Sequence, residues 1–308
     1  MTNETNTHNE KTPTRSTVVL YLILSAVLWS TSGVLVKILD WHPLSIWAGR
    51  STLAFGVFFI YLRRFPWKRP SWAQIAGIIC FLSTQLLFIT SNRMTTAANT
   101  IFLQYTAPVY IVLLAYWFLR ERPVRADWIT MGVIFVGLFF FFGDELSFDG
   151  TIGNLLALLS GVTLAGMTVA MRAQKDGSPA ETIMLSHLIA GIIGMPSLIR
   201  ETFTPQSLGI IVFLGIFQIG LAFVLYSIAI KHVPAMESTL ILTLEPILNP
   251  IWVFLILGES PGQHALIGGI IVVGAVTARA LAGAGIGRKH NAATLEQPAL
   301  SEARGSNV

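Results

Sequence analysis

Ten stretches of about twenty mostly apolar residues run through this chain, separated by short breaks that carry nearly all the charge. They cover 18–39, 43–62, 73–91, 97–119, 127–143, 151–171, 181–198, 208–230, 235–258 and 264–281. A bilayer core is about 30 Å thick and a helix rises about 1.5 Å per residue, so each stretch suits one membrane crossing. In hydrocarbon every backbone polar group must be paired within its element, which leaves helices or closed barrels. Barrel strands alternate apolar and polar residues, and runs such as 111–119 and 139–142 do not. The sequence therefore reads as an all-α integral membrane protein with ten transmembrane helices.

Composition settles what else is excluded. Of 308 residues 53% are hydrophobic and 12% charged, with a mean hydropathy of +0.67, where soluble domains carry about 25% charged residues. A soluble enzyme, a disordered chain and a collagen-like repeat do not fit. Cys80 is the single cysteine, so neither a disulfide framework nor a cysteine cluster for zinc or iron–sulfur is available. The pI near 9.4 does not imply nucleic acid, because the basic residues lie in short clusters between apolar runs.

Those clusters orient the chain, since lysine and arginine concentrate in cytoplasmic loops. With the N-terminus inside, the inner segments hold Lys11 and Arg15, Arg63, Arg64, Lys68 and Arg69, Arg120, Arg122 and Arg125, Arg172 and Lys175, Lys231, and Arg279, Arg288, Lys289 and Arg304. The outer side keeps Lys37, Arg93 and Arg200, and its loop after the fifth span is acidic (Asp144, Glu145, Asp149). Both termini are thus expected in the cytoplasm, with residues 1–17 and 282–308 as disordered polar tails. The first apolar run is too long for a signal peptide and is expected to stay as an uncleaved span.

The chain also repeats itself. A shift of 138 residues lays Ala97, Pro108, Leu119, Glu121 and Pro123 on Ala235, Pro246, Leu257, Glu259 and Pro261. A shift near 135 lays Leu24-Ser25-x-Val27 on Leu159-Ser160-x-Val162. The expected organisation is two five-helix units, 18–143 and 151–281. Five is odd, so the second must sit inverted, giving a 5+5 inverted repeat. Inverted repeats are the architecture of secondary transporters, in which one half rocks against the other.

Leu28-Trp29-Ser30, the mid-span Arg50, the Glu121-Arg122-Pro123 exit and its echo Glu259-Ser260-Pro261 resemble the drug/metabolite transporter superfamily of EamA type. The resemblance spans about residues 18–281. Val27-Leu28-Trp29-Ser30-Thr31 together with Gln104-Tyr105-x-x-Pro108 is further similar to the aromatic amino-acid exporters of that superfamily. The resemblance implies that Trp29, Tyr105 and Phe223 line a central cavity, with Gln85, Met167 and Asn249 as neighbours.

The residues themselves point the same way. Interrupted helices at matching positions of two halves are a transporter's best pointer to its site. Pro108 and Pro246 are such a pair: each would free the carbonyl four residues earlier, of Gln104 and Leu242, and Pro250 would free that of Pro246. The competing reading is an ordinary proline kink. Glu245, about 15 Å into its span, is expensive in a membrane and so a candidate to bind a substrate ammonium or a proton; a structural, hydrogen-bonded carboxyl is its alternative. Arg50 either pairs with a carboxylate or ties helix ends by donating to carbonyls, and the resemblance favours the structural role. Glu237 reads as a carboxylate placed favourably at a helix N-terminus after Pro234, and His187 as a hydrogen-bonded core histidine. Trp47, Trp67, Trp72, Trp117 and Trp128 read as interfacial anchors.

No His-Glu-x-x-His, Gly-x-Ser-x-Gly or Walker motif occurs, so no enzyme activity, metal or cofactor is expected. The expected function is export of amino acids, aromatic or neutral, by alternating access through the inner membrane of a bacterium. Lipophilic drugs or other metabolites are the alternative cargo. The partners are then the substrate and the lipid bilayer, without nucleic acid or a nucleotide-hydrolysing domain, and a single chain suffices as a functional monomer.

Overall fold

The structure is a computed structural model that describes residues 13–31, 35–36, 38–66, 69–95, 97–143, 150–257, 263–264 and 266–279. At 92–93, 97–99, 142, 249–250, 253–254 and 256–257 it describes the backbone alone. Lys37, Trp67, the acidic residues 144–149, Glu259-Ser260-Pro261 and both expected tails apart from 13–17 lie outside these residues, as do the side chains of Asn249 and Pro250.

Among the described residues the chain is helical, without a strand. In order come α1 (Arg15–Ser30), α2 (Pro43–Leu62), α3 (Trp72–Met94), α4 (Ala97–Gln104), α5 (Ala107–Leu119), α6 (Arg125–Phe142), α7 (Thr151–Ala173) and α8 (Pro179–Leu198). There follow α9 (Pro205–Phe213), a π-helical stretch (Leu214–Leu221), α10 (Ala222–Ala229), α11 (Ala235–Leu242), α12 (Leu244–Leu257) and α13 (Leu266–Arg279). Six uninterrupted or nearly uninterrupted runs are long and apolar enough to cross a membrane: Pro43–Leu62, Trp72–Ser91, Thr100–Leu119, Thr151–Ala173, Pro179–Leu198 and Pro205–Ala229. The other expected spans are occupied by α1, α6, α11 with α12, and α13, which are shorter or interrupted.

Local chemistry sets the boundaries. Thr14 caps α1 by accepting from the Thr17 backbone N–H. Its end comes at Ser30 and not near Leu39, because Ser30 and Thr31 turn their hydroxyls back to the carbonyls of Val27 and Leu28. Ser71 and Gln74 form a capping box that starts α3. Pro43, Pro179 and Pro205 each open a helix in its first turn, where the missing N–H costs no hydrogen bond.

The helices pack as a lattice in which α3 lies on α7, α2 on α8 and the π stretch, and α1 on α10, α11 and α12. Two hydroxyls bind this lattice at matching points. Ser25 of α1 donates to the Ala222 carbonyl at 3.0 Å, and Ser160 of α7 donates to the Thr84 carbonyl at 3.4 Å. Ser160 is the repeat counterpart of Ser25, and Ala222 that of Thr84, so the two contacts exchange places under the shift.

The core holds Tyr226, Phe58 and Phe81, all fully buried. The outer surface is apolar as well: Ile60, Phe118, Ile129, Ile192 and Ile270 are each more than 60% exposed. A soluble protein seldom presents so much apolar surface, whereas lipid solvates it. Trp72, Trp117 and Trp128 lie exposed, as interfacial anchors do. Trp47 corrects the expectation for it: it is buried in the core, because α8 and α9 cover that face of α2.

Candidate functional site

Both interrupted helices break at the same point of the repeat. α4 runs from Ala97 to Gln104 and α11 from Ala235 to Leu242, so each start and each end is related by the shift of 138 residues. The breaks precede the prolines. Pro108 lies in the first turn of α5 and Pro246 in the first turn of α12, where a proline removes no helical hydrogen bond. They are therefore not kinks inside a continuous helix; they restart one. Thr106 and Thr243 stand at the two breaks and return their hydroxyls to the carbonyls of Leu103 and Thr239, at 2.6 and 3.1 Å.

The Gln104 carbonyl, expected to be freed, faces protein. A Cβ added to Gly161 of α7 would lie 2.9 Å from it, so only glycine lets α7 approach so closely. The Gln104 side-chain amide donates to Ser160 at 2.6 Å. Ala26, fully buried in α1, occupies the repeat position of Gly161.

Tyr105 and Glu245, one from each break, meet. The Tyr105 hydroxyl donates to Glu245 Oε2 at 2.9 Å. Tyr105 is buried, while Glu245 keeps partial exposure despite its interior position.

A second group is aromatic. Trp29 lies 4.7 Å from Phe223 and 5.7 Å from Tyr226, centroid to centroid, with tilted rings. Phe223 continues to Phe81 at 5.2 Å and to His187 at 5.8 Å, and His187 touches Phe81 at 5.1 Å and Phe58 at 6.0 Å. Such offset and edge contacts bring about 0.5–1.5 kcal/mol each beyond burial. Sequence reading anticipated Trp29 and Phe223 but missed Phe81, Phe58 and Tyr226. Phe81 is one helical turn before Gln85, and Tyr226 one turn after Phe223, so a same-face search from either would have reached them. His187 departs from expectation: both its ring nitrogens are buried without a hydrogen-bond partner among the described residues.

Gln85 accepts from Arg50 Nη2 at 3.4 Å, and Arg50 Nε is buried and unpartnered. Neither expected role of Arg50 is present: among the described residues it pairs with no carboxylate and donates to no carbonyl. Met167 is buried in the same core cluster as Trp29, Tyr105 and Phe223. Gln218, also missed, lies in the π stretch and donates to the Trp29 carbonyl at 3.3 Å. Such π segments recur at functional sites, but nothing in the sequence marks this one.

Away from this group, the basic end carries ion pairs. Glu237 meets Arg15 and, at 3.8 Å, Arg279, which also meets Asp127 at 2.8 Å. Glu237 is thus a buried junction of three helices, more than a helix-end charge. Glu121 pairs with Arg172 at 2.8 Å and accepts from the Ala235 backbone N–H at 3.2 Å, capping α11. His232 is held below the usual imidazole range by partial burial, with the Lys231 and Arg172 cations adding to it. Among the described residues no group of three or more His, Cys, Asp or Glu is placed to hold a metal ion.

The EamA-like transporter family matches this chain twice, over residues 16–143 and 151–278. The uncharacterized transporter YwfM of Bacillus subtilis (strain 168) is 24% identical over 282 residues, covering 83% of this chain and 93% of the relative. The threonine/homoserine exporter RhtA of Escherichia coli (strain K12) is 27% identical over 198 residues, covering 60% of this chain and 63% of that exporter. A solved crystal structure superposes with a TM-score of 0.76 at 18% identity, over 87% of this chain and 98% of its own. That likeness shows a shared fold.

Proposed function

The chain belongs to the EamA-like transporter family, of the drug/metabolite transporter kind, and on that premise we propose that it exports amino acids across a bacterial inner membrane. Ten spans in two inverted five-helix halves, 18–143 and 151–281, enclose the path, and both termini lie in the cytoplasm. One chain forms the whole path. The observation that carries this reading is the hydrogen bond between Tyr105 and Glu245, made where two repeat-related helices are both interrupted. Broken helices at matched positions are where secondary transporters hold cargo, and a carboxylate there suits a substrate ammonium or a coupling proton.

Trp29, Phe223 and Tyr105 supply aromatic wall, Gln85, Met167 and Asn249 its neighbours, and Pro108, Pro246 and Pro250 the bent helices that gate it. The aromatic cluster around Trp29 supports aromatic or other apolar neutral side chains, which need burial more than exact geometry. The RhtA similarity supports amino acids as a class, with small hydroxyl-bearing ones in the panel. Alternating access is supported by the four described ion pairs, each of which joins the first half of the chain to the second. Rocking the halves apart at the basic end would part them.

Counterflow in liposomes holding the purified protein tests this, with labelled phenylalanine against amino acids, sugars and a lipophilic cation. Exchange with neutral or aromatic amino acids, reduced several-fold in Trp29→Ala and altered in its pH dependence in Glu245→Gln, is the expected result. Normal transport by Glu245→Gln at every pH would remove Glu245 from the site. The carboxylate beside an aromatic cluster also fits a lipophilic cation, and movement of the cation alone would transfer the proposal to drug export.

A further inference from the structure

Arg50 stands apart from the other arginines placed among the helices. Arg15, Arg64, Arg172 and Arg279 each meet a carboxylate at the basic end. Arg50 lies seven residues into α2, about 10 Å along it, in an apolar span. Among the described residues it has no carboxylate within 4.0 Å. Its one hydrogen bond is the long 3.4 Å contact to Gln85 Oε1, and its Nε is buried with no partner. A guanidinium removed from water and left without an anion costs several kcal/mol. A structural arginine would recover that cost from carbonyls or an internal acid; this one recovers almost none.

Its surroundings are donors. With Oε1 of Gln85 turned to Arg50, the Gln85 amide N–H2 makes no hydrogen bond among the described residues. His187, within electrostatic reach of Arg50, is fully buried with neither ring nitrogen bonded, and one of the two must carry a hydrogen. Three donor groups therefore face no acceptor, and the imidazole packs on Phe223, which stacks on Trp29. Glu245, the acid of the candidate site, is engaged by Tyr105.

We propose that Arg50, with Gln85 and His187 beside it, is the anchor for the carboxylate of the substrate. The planar fork of a guanidinium matches a carboxylate in two parallel hydrogen bonds. This rests on the amino-acid reading above and extends it: Glu245 answers the ammonium, Arg50 the acid group, so the carrier selects molecules that bear a carboxylate.

The test is competition against labelled phenylalanine in liposomes with the full chain, by phenylalanine, phenylalaninamide and 3-phenylpropionate. In the wild type the amide is expected to compete at least about tenfold more weakly than the acid, the loss of a charge-assisted pair. Arg50→Gln should weaken the acid about tenfold and leave the amide where it was, closing the gap, while Arg50→Lys keeps part of it. A purely structural arginine would weaken both alike, and that outcome, or a wild type that treats acid and amide equally, overturns the proposal. Thermal-shift measurements on the wild-type protein with the same three compounds cover the case of variants that do not fold. There, stabilisation by 3-phenylpropionate but by no amino acid would sink the amino-acid reading and keep the Arg50 anchor. Stabilisation by the amide alone would do the reverse. Stabilisation by none of the three counts against both.

Discussion

At the basic end, Arg15, Arg279 and Arg172 meet Glu237, Asp127 and Glu121, and each pair ties the first half of the chain to the second. The opposite end is tied across the same halves by neutral groups. Ser45 shares a hydrogen bond with Ser197 at 2.7 Å, Trp41 Nε1 donates to the Thr202 carbonyl at 3.3 Å, and Ser91 donates to the Gly153 carbonyl at 2.9 Å. Its one carboxylate contact, Glu201, accepts from the His42 backbone N–H. A neutral hydrogen bond exchanged for one to water changes free energy by about 0.5–1.5 kcal/mol. A buried ion pair deprived of one partner costs about 3–5 kcal/mol. The basic end is thus held by few contacts of high consequence, the other by many of small consequence.

The largest effect should follow from Glu237, only 3% exposed. Glu237→Ala leaves Arg15 and Arg279 facing each other without their shared anion, and should cost about 3 kcal/mol or more. The midpoint of thermal unfolding in detergent reads it. A loss below about 1 kcal/mol would mean that Asp127 and water suffice, and the contrast between the ends would fail.

The neutral end has its own weak point in backbone and not in side chains. Gly150 caps α7 with φ +76°, and an added Cβ would stand 2.4 Å from the Met94 carbonyl oxygen. Gly150→Ala should therefore cost about 2–3 kcal/mol, measured in the same way. If alanine is tolerated, the end is not held as tightly as these contacts imply.

How much of this could be read beforehand follows from what lipid does to sequence patterns. The matched starts at Ala97 and Ala235 and the matched prolines were visible as a shift of 138 residues. The breaks were not placed correctly, since a proline is cheapest in a first turn and the helix restarts just before it. Trp29 and Phe223 were legible through resemblance. Phe81, Phe58 and Tyr226 were not, because helices apolar on every face carry little periodicity to say which side turns inward. Glu237 was legible as a helix-end carboxylate, but its partners come from α1 and α13, at the far ends of the described chain. Arg50 was visible as a mid-span cation; that nothing neutralises it required the structure.

Two smaller effects sharpen the comparison by staying within the basic end. Glu121 joins Arg172 through Oε1 and the Ala235 N–H through Oε2. Glu121→Gln keeps one acceptor and loses the charge, so about 1–2 kcal/mol should go, less than for Glu237 because Glu121 is more exposed. Arg64 and Glu181 also link the halves, at 2.7 Å, yet the Arg64 side chain is 66% exposed. Solvent screening leaves such a pair about 0.5 kcal/mol or less. Arg64→Ala should accordingly leave the unfolding midpoint within error at low and high salt alike. A clear, salt-dependent drop would show that distance alone, and not burial, ranks these ion pairs.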